Sequence, residues 1–162
     1  MSDGAQLYSV DTSSFMDWQD RFYPSTIFPT LATRLAELIE AGRLTAPSLV
    51  HDELKAVGSA DLASWAATNA SIFVATDEVL ADALAIQGQF AGLRDPKAEF
   101  EEADAYVIAL ARLRGGAVVT QETEAAQKRS PKRTHFIPDV CRELGIPCFS
   151  LLGLIRREGW QF

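Results

Sequence analysis

The sequence predicts a single α/β domain over residues 1–162, in which a parallel sheet of about four to five strands carries helices on both faces. Three observations predict it. Short apolar runs alternate along the chain with longer stretches of helical periodicity, the pattern of strands joined by crossover helices. The run 117–120 is apolar without the alternation of a half-exposed strand, as expected where a parallel sheet is covered on both sides. And 162 residues of ordinary make-up, 48% hydrophobic and 23% charged, amount to one domain with enough apolar material for a core.

Taken in order, 7–10 is the first strand and ends on Asp11. Leu31, Leu35, Leu38 and Ile39 recur at helical spacing, which predicts a helix over 30–41 stopped by Gly42. A short strand at 43–46 follows, and Pro47 suits the first position of the next helix. Ser59 and Thr76 suit the N-caps of two more helices, the second carrying Val79, Leu80, Ala83, Leu84 and Ile86. Asp95-Pro96 opens a helical stretch that reaches Arg114 and is halted by Gly115-Gly116. After the strand 117–120 and a polar stretch over 121–135, a helix is expected at 137–144, a last strand at 146–150 and a closing helix at 151–158.

No apolar run approaches the roughly 20 residues of a membrane span. MSDGAQLYSVD lacks the basic and apolar regions of a secretory signal, so a cytoplasmic protein with no membrane partner is expected. Cys141 and Cys148 match no zinc spacing and make no disulfide framework; they are expected as free thiols. The net charge of −7 opposes nucleic-acid binding over most of the surface, yet clustered carboxylates holding divalent cations would reverse that field locally.

The informative residues are carboxylates where apolar side chains are expected. On the helix after Pro47, turning about 100° per residue, Leu49, Val50, Leu54 and Val57 share one arc, and Glu53 falls inside it. The same wheel sets Asp104 beside Val107, Ile108 and Ala111. An ionised carboxylate facing inward needs a partner or a metal. Asp11 ends the first strand and Glu122 lies just past the strand 117–120, and ligand sites of open parallel sheets gather at carboxyl ends of strands. Each acid alone is commonplace in a turn, a helix edge or a first helical turn. Four converging from distant segments would form a hard oxygen site suited to Mg²⁺ or Mn²⁺.

The segments YSVDTS at 8–13, APSLVHDEL at 46–54, EADAYVIALARLRG at 102–115 and AVVTQE at 117–122 together resemble the PIN-domain family. IPDVCRELGIPCF, near the C-terminus, resembles a little-characterised bacterial and archaeal branch of PIN-like proteins. The resemblance implies a Rossmann-like sheet and a Mg²⁺-dependent endoribonuclease acting on single-stranded or structured RNA. It further implies the toxin of a toxin–antitoxin pair, with a small antitoxin protein as partner, and a homodimer. By position, Asp11, Glu53, Asp104 and Glu122 are the implied catalytic and metal-binding acids. Glu122 stands where many members have Asp and is longer by one methylene. Thr12, Ser13 and Thr120 match supporting hydroxyls.

Lys128, Arg129, Lys132 and Arg133 form the most basic stretch and are the candidate contacts to an RNA backbone. Trp18, Trp65 and Trp160 read as core or interface anchors, and His135 as outside the chemistry. A haloacid-dehalogenase-type phosphatase would need a second Asp where Ser13 stands, and a receiver domain lacks its adjacent acids and later Lys. The remaining alternative is a catalytically weak PIN-like module that binds RNA or protein without a toxin role.

Overall fold

In the computed structural model of the chain, which describes residues 6–95, 97–98, 102–131 and 133–162, the first strand β1 (Tyr8–Val10) lies at the centre of the sheet. The chain continues through α1 (Thr12–Phe15), extended by a π-helical run over Met16–Phe22, then α2 (Pro29–Glu40), β2 (Leu44–Pro47), α3 (Ser48–Val57) and α4 (Ala60–Thr68). It goes on through β3 (Phe73–Val74), α5 (Thr76–Gln89), α6 (Asp104–Leu113), β4 (Ala117–Val119), α7 (Ile137–Leu144), β5 (Cys148–Phe149) and α8 (Leu151–Glu158). The strands pair in the order β3-β2-β1-β4-β5, each pair parallel. The chain therefore builds outward from β1 in one direction and then in the other, and the order reverses between β1 and β4.

Strand alternation divides the helices between two layers. Ser9 donates its hydroxyl to the Val107 carbonyl of α6 at 2.7 Å on one face, while Tyr8 donates to Glu158 of α8 at 2.5 Å on the other. Helix α6 buries residues 105–111 without a break, because α5 covers it from outside, so its sequence is apolar all round. The opposite face holds Val10, Phe15, Leu35, Val119 and Leu154 against one another. At the turn into β4, Gly115 takes a φ of +63°, and a Cβ on Gly116 would lie 2.5 Å from the Leu7 carbonyl oxygen. Glycine is required at both positions.

Several expectations need correction. The described residues over 95–103 are not helical: Asp95 accepts the Lys97 amide at 2.9 Å, and its own amide donates to Glu102 at 3.0 Å, so the helix begins at Asp104. Asp-Pro opens turns as readily as helices, since the Asp side chain competes for backbone amides. Pro47 closes β2 instead of opening α3, and Ala75, not Thr76, caps α5, whereas Ser59 caps α4 by accepting the Leu62 amide. Val57, Leu80 and Leu84 are exposed. Strand β3 and the π-helical run carry no periodic signal of their own. Trp18 is buried and meets Trp65 edge-on at 4.9 Å, and Trp160 packs against the core, as anchors should.

The face of α8 supplies a stability test remote from the acids. Glu158 accepts hydrogen bonds from Tyr8 and, at 3.0 and 2.6 Å, from both terminal nitrogens of Arg43. Burial opposes ionisation of Glu158, but these donors outweigh it and hold its carboxyl below the usual range. Tyr8→Phe removes a donor to an ionised acceptor and should cost about 1.5–3 kcal/mol in urea unfolding. A loss under about 0.5 kcal/mol would show that this buried bond contributes nothing net.

Candidate functional site

The topology brings the acids to one edge. Asp11 follows the last residue of β1, and Thr120 and Glu122 follow β4, the two strands that flank the reversal of strand order. Glu53 sits one turn and a half into α3, just beyond the end of β2. Helix α6 runs back against the strands before β4, so its first residue, Asp104, lies at the same edge.

Asp11 is 4% exposed and holds its amide to the Val119 carbonyl across the β1–β4 seam at 2.9 Å. Its Oδ2 accepts the hydroxyls of Ser13 and Thr120, each at 2.9 Å. Burial, reinforced by the charge of Asp104, raises its carboxyl to about 7 against the pull of those hydroxyls. Asp104 is likewise raised to about 7, by burial first and then by Glu122, with Arg133 opposing. Glu53 and Glu122 are raised by burial as well. Thr12 donates its hydroxyl to Glu53 Oε1, and Glu122 Oε1 accepts the Ile137 amide at 3.1 Å. Asp11 feels Asp104 and Glu53, Asp104 feels Glu122, and Glu122 feels Asp11. Charge thus links the four sequence-predicted acids in pairs at one edge of the sheet, and the three hydroxyls bond to two of them, Thr12 to Glu53 and Ser13 and Thr120 to Asp11.

One cation sits among them. Arg133 donates through Nη1 to Asp104 Oδ2 at 2.8 Å and to the Leu93 carbonyl at 2.8 Å, and through Nη2 to Glu122 Oε2 at 3.4 Å. Glu102 lies 4.0 Å away, and the guanidinium covers the Phe136 ring at 4.5 Å from its centroid. Arg133 therefore faces the acids, and its donors are directed to Asp104, Glu122 and the Leu93 carbonyl. Within the basic stretch, Arg129 is exposed and Lys128 reaches Thr123 at 3.1 Å, while Lys132 lies outside the described residues. His135 faces Glu143 at 3.1 Å, away from the acids.

Among the described residues, no three carboxylates close into a ready-made ligand shell as they stand. Carboxylate oxygens are the donor type that divalent cations take, and the Arg133 guanidinium places a positive charge between two of the four acids. Asp11, by contrast, has only hydroxyl partners and no ion pair among the described residues.

Sequence reasoning misses Glu102, Asp17 and the groove beside the site. Asp17 is buried against Arg21 and the Gln121 amide, each at 2.8 Å, and the π-helical run that carries it gives no periodic signal. The groove has a volume of about 480 Å³, within the range of small-ligand sites. Thr120 and Glu122 form its border with the acids, and Arg142, Cys148, Phe149 and Ser150 line it further out. Cys141 and Cys148 are free thiols. No helix among the described residues is long and apolar enough to cross a membrane.

Residues 8–162 match the family described as Domain of unknown function (DUF4411), and the chain belongs to that family. No curated protein matches the chain.

Proposed function

We propose that this DUF4411 member is a Mg²⁺- or Mn²⁺-dependent endoribonuclease of the PIN type, working in the cytoplasm as the toxin of a toxin–antitoxin pair. The observation that carries the reading is the gathering of Asp11, Glu53, Asp104 and Glu122 at the reversal of strand order, where burial and mutual repulsion call for positive charge. Carboxylate oxygens suit hard divalent cations. Asp11 and Asp104 would hold the ion most firmly, with Glu122 and Glu53 completing the set. When bound, such an ion activates water for attack on a phosphodiester and offsets charge on the leaving oxygen.

The chain's own groups do the rest. Ser13 and Thr120 hold the orientation of Asp11, and Thr12 that of Glu53, which would take a proton from the attacking water. The groove beside Glu122 would receive the RNA strand, single-stranded or in a structured region. Lys128 and Arg129 would then meet backbone phosphates at its rim. A homodimer is part of the proposal, and exposed Phe22 and Ile27 are apolar side chains that it would cover.

The alternative, a catalytically weak module that binds RNA or protein, is favoured by one observation: Arg133 already fills part of the cleft. Cleavage of RNA that stops on chelation separates the two readings. The toxin role has its own test. Expressed alone, the protein should slow growth, and from its native source it should co-purify with a small antitoxin that covers the cleft. Undisturbed growth in cells making folded, RNA-cleaving protein would discard the toxin role and keep the ribonuclease.

A further inference from the structure

We infer that Arg133 is a built-in latch: in the ion-free protein it occupies the cation position between Asp104 and Glu122, and it has to leave for a divalent cation to bind. The inference rests on the ribonuclease reading of the acids and concerns how that site is regulated.

The geometry is specific. One guanidinium touches Asp104 at 2.8 Å and Glu122 at 3.4 Å, on acids brought from α6 and from the loop after β4. The oxygens it occupies, Asp104 Oδ2 and Glu122 Oε2, belong to two of the four acids that would hold a divalent ion. A guanidinium cannot give them up without moving, because its donors form a rigid planar fork. Burial works against its charge, but Asp104 and Glu122 outweigh that effect and keep it protonated. It therefore does not release the acids by losing a proton.

What holds Arg133 is side-chain contact and not regular structure. Arg133, like the other described residues between the short turn Ala125–Gln127 and α7, belongs to no helix or strand. Its neighbours dock on the 92–93 turn, where the His135 amide reaches the Gly92 carbonyl at 3.3 Å and a Cβ on Gly92 would collide with Thr134 Oγ1. Turning the Arg133 side chain outward would free the acids without disturbing a strand. An RNA phosphate would offer the guanidinium a two-pronged acceptor in one group, where here it takes one oxygen from each of two carboxylates. Substrate binding would then draw Arg133 outward and open the ion position, so ion and RNA would strengthen one another's binding. In the RNA-free protein, ion affinity is reduced by the fraction of molecules still latched.

The test is titration of MgCl₂ into the RNA-free full-length protein by calorimetry, comparing the original chain with Arg133→Gln and Arg133→Lys. Arg133→Gln should bind Mg²⁺ at least about tenfold more tightly, and Arg133→Lys, a point charge without the fork, about threefold. Equal or weaker binding by folded Arg133→Gln overturns the latch. If that variant does not fold, absence of any gain in Arg133→Lys does so. Loss of a nearby positive charge would by itself tighten binding, so a second readout separates displacement from through-space attraction. Tryptic cleavage after Arg133, followed by mass spectrometry, should accelerate when Mg²⁺ is added to the original chain, because trypsin needs the guanidinium free. An unchanged rate overturns the latch. Mg²⁺ binding by the original chain that is lost in Asp11→Asn would leave the metal-dependent reading standing even then. Absence of Mg²⁺ binding by every variant would remove that reading and the latch with it.

Discussion

Asp104→Asn lowers Mg²⁺-dependent cleavage of single-stranded RNA by about 10²-fold or more while leaving the protein at least as stable as before. The two halves of this result have different causes. Activity falls because an amide oxygen is a weaker, uncharged donor where the ion should be held. Stability holds because the Asp104 carboxyl, raised to about 7 by burial and Glu122, is ionised at neutral pH only at a cost that Asn does not bear. Asn keeps an oxygen to accept the Arg133 bond now made at 2.8 Å. Thermal melting with and without Mg²⁺ should show the original chain gaining more from the ion than the variant. A variant that melts far below the original would mean that the Asp104–Arg133 pair is structural first. One that cleaves as well as the original would remove Asp104 from the site.

Without divalent ions, the acids should make the protein less stable as pH rises from about 4 to about 8. Asp11 and Asp104 have folded-state values of about 7, above the ordinary 3.8, so the folded chain holds protons that the unfolded chain has already lost. Stability from these groups is complete below the unfolded value and is lost as pH climbs through about 7. Glu158 is shifted the other way and loses its contribution only on acidification below the carboxylate range. A tenfold difference in proton affinity between the folded and unfolded chain corresponds to about 1.4 kcal/mol. Melting in EDTA should therefore fall by roughly 5–10 °C between pH 5 and 8. Saturating Mg²⁺ should flatten this slope by replacing protons among the acids. A melting temperature that rises with pH in EDTA would show that the four carboxylates are not crowded together.

Much of this is legible from periodicity and strand ends. The parallel α/β class follows from alternating elements, and α7 and α8 have the expected bounds, set by αL glycines at 145 and 159. Glu53 and Asp104 stand out because each is polar on an arc that is otherwise apolar, and Asp11 and Glu122 because they closely follow the two strands that flank the reversal of order. β3 is not legible: two residues, Phe73 and Val74, are too few to show a period, and pairing with β2 alone makes them a strand. Periodicity misplaces the start of α6 because Asp95 and Glu102 close a turn through side-chain bonds that a helical wheel does not register. The sequence singles out Arg133 only as part of a basic stretch, with nothing to pair it with a particular acid. Its inward turn is fixed by acids far away in sequence, Asp104 and Glu102, together with the Leu93 carbonyl.

The most direct measurement is cleavage of a labelled single-stranded RNA by the purified full-length protein in Mg²⁺, in EDTA, and again after Mg²⁺ is restored, with Asp11→Asn run beside it. The account predicts cleavage in Mg²⁺, none in EDTA, recovery on restoring the ion, and little at any stage from the variant. Cleavage that persists in EDTA, or that Asp11→Asn performs as well as the original chain, would contradict it.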